Sequence, residues 1–274
     1  MAREGTLVRS DWLATEEPLE IQVFDSQSGD LLLTHVTMRT PGSDFELAAG
    51  FLHAEGIIER AEQISDMEFC VGPSNRDRQF FNIVSVRAAG ADMSNREGQR
   101  FRTASSACGV CGKASLDELV LRGLMPLETT ARIDWETLVG LPDALRNRQA
   151  LFAATGGLHG AALATADGDL LAVREDVGRH NAVDKLLGWL LLNGEVRVRP
   201  MVLFVSGRLS FELAQKAVVG RVPILAGVSA PSSLAVDLAR EFGLTLAGFV
   251  RDGACNVYSR PERIIVEATL PAVL

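Results

Sequence analysis

The sequence lacks the features that mark disulfide-stapled or nucleic-acid-wrapping proteins. Only four of its 274 residues are cysteines, and 27 Lys and Arg are outnumbered by 35 Asp and Glu, which gives a net charge of −8. Four cysteines are too few for a disulfide framework in a chain of this length. Nucleic-acid backbones are bound by neutralising phosphates with Lys and Arg, so an acidic chain without a basic stripe is unsuited to that role. We expect any nucleotide that it binds to be small.

Long apolar runs are also missing. Residues 1–5 lead into mixed, acidic sequence, so we expect no signal peptide. The longest apolar helical stretch, 186–192, is far shorter than the ~20 residues that span a bilayer. These absences predict a cytoplasmic protein that makes no membrane contact. The length predicts one large or two small domains with an ordinary hydrophobic core.

The first third of the chain predicts a small α+β domain over residues 16–103. Apolar and polar residues alternate over 18–38 with a break at 26–30, which predicts a β-hairpin. Ser43 and Glu46 have the spacing of a capping box and predict a helix that runs to about Gly56. Two further strands are predicted at 67–71 and 80–86.

The last part predicts an α/β three-layer domain over residues 126–274. An Asp-Gly turn at 167–168 predicts a hairpin at the edge of its sheet. The strand and helix order that follows is βαβαβ and favours parallel pairing. The predicted strands are 161–165, 170–174, 201–205, 222–228 and 245–249, and the predicted helices are 181–192, 211–219 and 232–242.

A mobile cysteine loop and connection, residues 104–125, separates the two predicted domains. It contains Cys108-Gly-Val-Cys111-Gly-Lys113, which puts two thiols within reach of each other beside a cation. A nearby lysine favours the thiolate, which is the nucleophilic form of cysteine. Three interpretations compete: half of a structural zinc site, a dithiol redox pair, and a nucleophile that carries sulfur as a persulfide.

Neither the zinc nor the redox interpretation has the expected sequence context. A structural zinc site needs four ligands and no second Cys-x-x-Cys or His pair is present, while a thioredoxin-like motif lies at a strand-to-helix junction. His53 and Glu55, followed by Cys108 and Cys111, contain the elements of a zinc-deaminase signature. Position 107 is Ala instead of Pro, however, and the gap is long. A histidine on a helix is the simpler explanation.

Four loops of the second domain offer hydroxyls, backbone amides or arginine at element boundaries: 174–181, 206–210, 229–233 and 251–253. Two of them follow strands and open helices, where open α/β sheets bind ligands and helix N-termini stabilise phosphate. The Thr-Gly-Gly-Leu-His-Gly turn at 155–160 precedes a strand and so is no dinucleotide fingerprint. The candidate nucleotide-binding residues in these loops include His180, Ser206, Gly207, Arg208, Ser229 and Ser232.

Purely structural roles compete for several of these residues. Ser210 and Ser232 have the positions of helix N-caps, and Arg208 has the character of a solvated charge. Asp176 and His180 are candidates for catalysis. A hydrogen bond between His180 and Asp184, four residues on, would instead orient the imidazole.

Seven strings in a fixed order resemble the FdhD family of formate dehydrogenase accessory proteins, from about residue 15 to the C-terminus. The strings occupy 38–42, 46–52, 108–113, 155–159, 174–185, 206–213 and 228–235. The resemblance implies a cytidine-deaminase-like mixed sheet in the second domain. It also implies a sulfurtransferase with formate dehydrogenase apoenzyme as partner.

The resemblance further implies the sulfur donor and acceptor. Sulfane sulfur is accepted from a cysteine desulfurase and passed to the molybdenum (or tungsten) bis-pterin guanine dinucleotide cofactor, which is bound as a substrate; no resident metal or permanent cofactor is implied. Cys108 is then the persulfide carrier, Cys111 the assisting or resolving thiol and Lys113 a stabiliser of the thiolate. A non-catalytic cofactor chaperone is the alternative, and homodimerisation is open.

The expected contact with the guanine nucleotide portion lies near the end of the chain. The resemblance assigns it to Phe249, Val250, Arg251, Asp252, Gly253 and Ala254. Asp252 is more acidic than expected at its position, and Ala254 and Cys255 are less polar.

Overall fold

The computed structural model describes residues 10–70, 81–91, 124–194 and 201–266, which form three sheets. The first sheet has the order β2-β1-β4-β3. Its strands are β1 (Glu17–Asp25), β2 (Leu31–Arg39), β3 (Ile64–Phe69) and β4 (Ile83–Ala88). The predicted hairpin is confirmed as the antiparallel pair β1 and β2, and β1 also pairs with β4 in parallel.

Alternation explains how this sheet forms a core. Leu19, Ile21 and Val23 of β1 are fully buried, while their neighbours along the strand are partly exposed. Successive strand residues point to opposite faces, so the buried set shares one face. That face packs against helix α1 (Asp44–Ala54), which buries Leu47 and Leu52 in the same cluster.

The predicted helix is present, but the prediction of a capping box at its start is wrong. Ser43 has a left-handed backbone (φ 56°) and its side chain makes no capping hydrogen bond. Glu46 instead forms a bidentate ion pair with Arg174, which belongs to the second sheet. The Arg174 Nε and Nη2 atoms lie 2.5 and 2.6 Å from the two carboxylate oxygens of Glu46. A tertiary contact has therefore replaced the local one, because a bidentate Arg–carboxylate pair is stronger than a single cap bond.

The second sheet has six strands in the order β11-β10-β9-β8-β6-β7. They are β6 (His159–Ala164), β7 (Leu170–Asp176), β8 (Val202–Val205), β9 (Ile224–Gly227), β10 (Thr245–Arg251) and β11 (Ala254–Ser259). The parallel pairing of β8, β9 and β10 is confirmed, and so is the antiparallel hairpin of β6 and β7 at one edge. The sequence did not predict β11, which pairs antiparallel with β10 at the other edge.

Helices cover both faces of this sheet, as the predicted three-layer arrangement requires. Leu203 and Val205 of β8 face α4 (Arg179–Leu192), α5 (Phe211–Val219) and α6 (Ser233–Glu241). Val202 and Phe204 face α2 (Trp135–Arg148), together with the small pair β5 (Ile133–Asp134) and β12 (Ile264–Ile265). Helix α2 and the short α3 (Ala150–Thr155) were not predicted from the sequence.

The two larger sheets are joined through a close helix crossing. Gly50 of α1 meets α4 so closely that a Cβ there would overlap the Asp184 carbonyl oxygen, and a Cβ at Gly188 would overlap that of Glu46. Glycine is the residue that permits such backbone approach. The predicted boundary at 103/104 lies outside the described residues, so the division into domains stays a prediction.

Within the described part of the chain, no helix is both long enough and apolar enough to cross a membrane.

Candidate functional site

The predicted loops meet at one edge of the six-stranded sheet. Parallel strands β8, β9 and β10 all end there, so the segments that begin at Ser206, Ser229 and Arg251 are neighbours. Because β6 and β7 run antiparallel to each other and β6 runs antiparallel to β8, β6 starts and β7 ends at the same edge. His159 pairs with Asp176 in that register. We call this set of loops the carboxyl edge.

Backbone hydrogen bonds tie the carboxyl edge together. The Leu209 amide donates to the Ala230 carbonyl at 3.0 Å, and the Ser232 amide donates back to Leu209 at 2.9 Å. The Phe249 amide donates to the Ser229 carbonyl at 3.2 Å. Three loops from three strands are thus held in fixed relative positions, which is what a pre-formed binding edge requires.

Some serines of the carboxyl edge have structural roles, and others keep a hydroxyl that can bond a ligand. Ser232 is the N-cap of α6 and its hydroxyl accepts from the Ala235 amide at 3.2 Å, so the capping role is confirmed. Ser210 precedes α5 without capping it, and its hydroxyl lies 3.2 Å from His180 Nε2. Ser206 Oγ accepts the Gly160 amide at 2.9 Å and retains a proton to donate.

Positive charge collects around His159 at this edge. The pKa of His159 is lowered by partial burial and then by the charges of Arg179, His180 and Arg208. The side chain of Arg208 is exposed, whereas Arg179 Nε is buried without a hydrogen-bond partner among the described residues. Such a cluster attracts anions. His180 and Arg208 were predicted from the sequence as site residues, whereas Arg179 and His159 were not.

His180 is held by Glu212, not by Asp184. Its Nε2 lies 2.9 Å from Glu212 Oε2, and this hydrogen bond lowers the pKa of the glutamate. The carboxylate of Asp184 instead meets Lys216 Nζ at 2.5 Å. The orienting partner expected from sequence spacing is therefore wrong, because the buried lysine of α5 takes that carboxylate.

Asp176 is a structural junction. It is fully buried, and its carboxylate meets Lys185 Nζ at 2.7 Å. It also accepts the Thr40 amide at 3.1 Å and the Gly178 amide at 2.8 Å. Lys185 Nζ also donates to the Thr40 carbonyl at 2.8 Å. The Asn181 side-chain amide donates to the same carboxylate at 3.2 Å. With these donors, Asp176 links the end of β2 to the start of α4 and holds no lone pair ready for a substrate.

The last predicted contact segment forms the turn between β10 and β11. Asp252 and Gly253 both have positive φ, 53° and 68°, as in a two-residue turn of the type that suits hairpins. Arg251, Asp252, Gly253 and Ala254 are exposed there, and the Arg251 guanidinium carbon lies 5.9 Å from the centre of the Phe249 ring. Val250 is fully buried in the core, which leaves only its backbone for a ligand.

Cys108, Cys111 and Lys113 lie outside the described residues. Their roles therefore stay predictions. The other two cysteines have ordinary environments: Cys70 Sγ lies 2.8 Å from Ser85 Oγ, and Cys255 is half-buried against the core, where burial raises the pKa of its thiol.

The residues that the structure describes give no support to the zinc-deaminase hypothesis. His53 Nδ1 lies 3.2 Å from the Ile58 carbonyl oxygen, and burial lowers the pKa of its imidazole. Over residues 10–70, 81–91, 124–194 and 201–266, no three His, Cys, Asp or Glu side chains are grouped so that they could hold a metal. A structural role explains His53.

The arrangement defines an α/β protein of the three-layer class with a polar, cationic edge. A family model described as FdhD/NarQ matches residues 14–265. The chain therefore belongs to the FdhD/NarQ family.

Relatives and a solved structure agree with this assignment. The chain is 48% identical over 270 residues to a protein of Streptomyces avermitilis named sulfur carrier protein FdhD, covering 97% of this chain and 94% of the relative. It is 49% identical over 260 residues to the protein of the same name from Mycolicibacterium paratuberculosis, covering 94% and 93%. The crystal structure of a candidate formate dehydrogenase accessory protein from Desulfotalea psychrophila matches with a TM-score of 0.68 and 27% identity, covering 93% and 91%.

Proposed function

We propose that this protein is a sulfur carrier that serves formate dehydrogenase. Cys108 accepts sulfane sulfur from a cysteine desulfurase as a persulfide, and the sulfur passes to the molybdenum (or tungsten) bis-pterin guanine dinucleotide cofactor, which is the substrate. The observation that carries the proposal is near full-length similarity, at 48–49% identity, to proteins named sulfur carrier. The Cys-x-x-Cys at 108–111 supplies thiols suited to that chemistry.

The loading step conserves atoms and electrons. The Cys108 thiolate attacks the terminal sulfur of the donor's persulfide, the donor's cysteine thiolate leaves, and a Cys108 persulfide remains. In release, the Cys111 thiolate attacks Cys108 Sγ, expels hydrosulfide to the acceptor and leaves a Cys108–Cys111 disulfide. A dithiol reductant then restores both thiols. Lys113 favours the thiolate forms.

The carboxyl edge is the proposed site for the nucleotide portion of that cofactor. Arg179, Arg208 and Arg251 supply positive charge there for phosphate groups. Phe249 and the turn at 251–254 lie at the same edge and offer an aromatic ring and exposed backbone. The mixed sheet, with a hairpin followed by βαβαβ, supports a cytidine-deaminase-like fold as part of the proposal.

The first test is sulfur loading followed by mass spectrometry. The protein is incubated with an active cysteine desulfurase and cysteine and is mapped without reductant. We expect an increase of about 32 Da, one sulfur atom that a thiol reductant removes, on the peptide that contains Cys108 and Cys111, and Cys108→Ala should abolish it with the fold unchanged. Cys70→Ala, at an exposed cysteine outside the loop, is the matched control and should load like the wild type.

Loading of Cys108→Ala at the wild-type level would overturn the proposal. A non-catalytic chaperone would bind the cofactor at the same edge and deliver it without moving sulfur. In that case, Cys108→Ala and Cys111→Ala would both still support formate dehydrogenase activity.

A further inference from the structure

The ring of His180 joins the starts of two helices at the carboxyl edge. It lies in the first turn of α4, and its Nε2 is 2.9 Å from Glu212 Oε2 and 3.2 Å from Ser210 Oγ, at the start of α5. The side chain of His180 is 21% exposed, and within the described part of the chain its Nδ1 makes no hydrogen bond. Nδ1 is thus the ring nitrogen that is left to bond a ligand.

The proton between His180 and Glu212 has a defined place. The bond to His180 lowers the pKa of the Glu212 carboxyl below its ordinary 4.5, so this group is ionised at neutral pH. An ionised carboxylate only accepts hydrogen bonds, so Nε2 must carry the proton that joins the two groups. The neutral imidazole then has a lone pair at Nδ1, and only the imidazolium has a donor there. An anion can be bonded by Nδ1 in the second form alone.

The positive groups around this ring oppose its protonation. Arg179 of the same helix, Arg208 of the loop after β8 and His159 of β6 belong to one cluster with His180. Nearby cations disfavour a further positive charge on an imidazole. Arg179 Nε is also buried without a hydrogen-bond partner among the described residues, which leaves a donor for an anion. The cluster that attracts an anion therefore also works against the donor form of His180.

One carboxylate is placed to offset these cations. Asp176 and Asp184 are buried, and each is paired with a buried lysine, Lys185 or Lys216. Glu212 is 57% exposed and is the carboxylate that bonds the imidazole directly. An opposite charge at hydrogen-bond distance favours the charged form of a histidine. Glu212 therefore decides whether Nδ1 carries a proton near neutral pH.

We propose that Glu212 is a positioning residue for anion binding at the carboxyl edge. Its carboxylate fixes the proton on Nε2 and favours the imidazolium, so that His180 donates from Nδ1 to a phosphate oxygen. This inference rests on the proposed function, in which the phosphate groups of the nucleotide portion bind at this edge. Glu212 itself does not bond the phosphate, because two anions repel each other.

The sign of the effect of one substitution separates positioning from simple charge. Glu212→Gln removes a negative charge that interacts with Arg179, so Coulomb's law alone predicts tighter binding of an anion. The positioning role predicts weaker binding, because His180 loses the carboxylate that favours its charged form. Calorimetry with GDP and the full-length protein near neutral pH measures the difference. We expect Glu212→Gln to weaken GDP binding by about tenfold, the effect of one charge-assisted hydrogen bond.

Acidification should restore GDP binding in Glu212→Gln. At about pH 5 an imidazole with an ordinary pKa of about 6.5 is charged without help from a carboxylate. Glutamine keeps the size of the side chain, so the ratio of the GDP dissociation constants of variant and wild type should fall from about ten towards one. A purely structural defect would leave this ratio the same at both pH values.

A matched control removes the same charge elsewhere. Glu262 lies at the opposite edge of the sheet, where its neighbour Arg263 bonds the carbonyl oxygens of Pro223 and Gly243, just before β9 and β10. Glu262→Gln should bind GDP like the wild type. The thermal unfolding midpoint of Glu212→Gln should stay close to that of the wild type, because a pair with a largely exposed carboxylate contributes little to stability.

A double variant completes the design. His180→Asn should weaken GDP binding as much as Glu212→Gln does, and Glu212→Gln in that background should cause no further loss. Wild-type or tighter binding in Glu212→Gln overturns the inference, and so does an equal loss at both pH values or a wild-type protein that does not bind GDP. Sulfur loading of Cys108 is measured on the same samples, so a protein that loads sulfur but fails these tests leaves the sulfur-carrier function standing.

Discussion

A single buried ion pair at the junction between the two larger sheets makes a large contribution to the stability of the protein. Asp176 and Lys185 are 0% and 2% exposed and form an ion pair that also bonds both backbone groups of Thr40. Breaking a buried pair leaves an uncompensated charge, whereas an exposed pair contributes little. The burial of this one pair therefore makes the attachment of β2 to α4 sensitive to single substitutions.

Lys185→Met tests that sensitivity. We expect it to lower the free energy of unfolding by roughly 3–5 kcal/mol, because Asp176 stays buried without its cation. The double variant Asp176→Asn/Lys185→Met should lose less than the sum of the two single variants. Urea unfolding measures all three.

A surface pair provides the control for Lys185→Met. Arg260 and Glu262 are 3.6 Å apart with side chains 51% and 60% exposed, so Arg260→Met should cost at most about 1 kcal/mol. Equal decreases in the free energy of unfolding for Lys185→Met and Arg260→Met would contradict this expectation.

Among the secondary-structure elements, the crossing of α1 and α4 is fixed by two glycines. Gly50 and Gly188 each face the other helix's backbone at a distance that excludes a methyl group. Helix propensity favours Ala over Gly by about 1 kcal/mol, so propensity alone predicts that Ala would stabilise both sites. The steric clash of an added methyl group with the facing backbone costs more free energy than the gain in helix propensity.

Gly50→Ala should therefore destabilise the protein by about 1–3 kcal/mol or more, the cost of overpacking. Gly140 of α2 is the matched control, since a Cβ there has no neighbour within 4 Å and Gly140→Ala should stabilise by up to about 1 kcal/mol. In thermal unfolding, the midpoint should fall for Gly50→Ala and rise for Gly140→Ala. A rise for both variants would contradict the close crossing of α1 and α4.

Across the whole molecule, stability should fall on mild acidification. Burial lowers the pKa of His53, near the first sheet, and of His159, at the second, below 6.5. The unfolded chain then binds more protons than the native one between the lowered pKa and 6.5, so stability rises with pH in that window and is lost as pH falls through it.

Unfolding curves at several pH values between about 5 and 7 check this expectation. His53→Gln and His159→Gln should each flatten the profile, and the imidazole resonances should titrate below 6.5. Glu212 acts in a lower window because its pKa is below 4.5. An unchanged slope in both histidine variants would contradict the assignment.

The sequence predicted those features that depend on local periodicity. The β1–β2 hairpin, the parallel order of β8 to β10 and helix α5 follow from alternation, turn residues and helical spacing, and they are confirmed. The Ser43 cap and the His180–Asp184 bond were wrong because Arg174 and Lys216 arrive from distant segments. Spacing cannot report partners that are far away in sequence.

The same reasoning explains what the sequence missed at the site. The carboxyl edge could be predicted because loops after parallel strands must meet at one side of a sheet. The role of Arg179 could not, since it comes from the place of this arginine beside His159 and from its buried, unpartnered Nε. Its one sequence signal is an arginine in the loop at 174–181, where three other charged residues compete with it.

The glycine crossing also limits how this family can exchange parts. Helix α1 comes from the first sheet's unit and α4 carries Arg179 and His180 at its first turn, so the two helices form a single matched surface. A chimera that takes its N-terminal third from one homologue and the remainder from another would join helices selected against different partners. Such a chimera should therefore fold only where positions 50 and 188 both remain glycine, because a Cβ at either would overlap the backbone of the other helix.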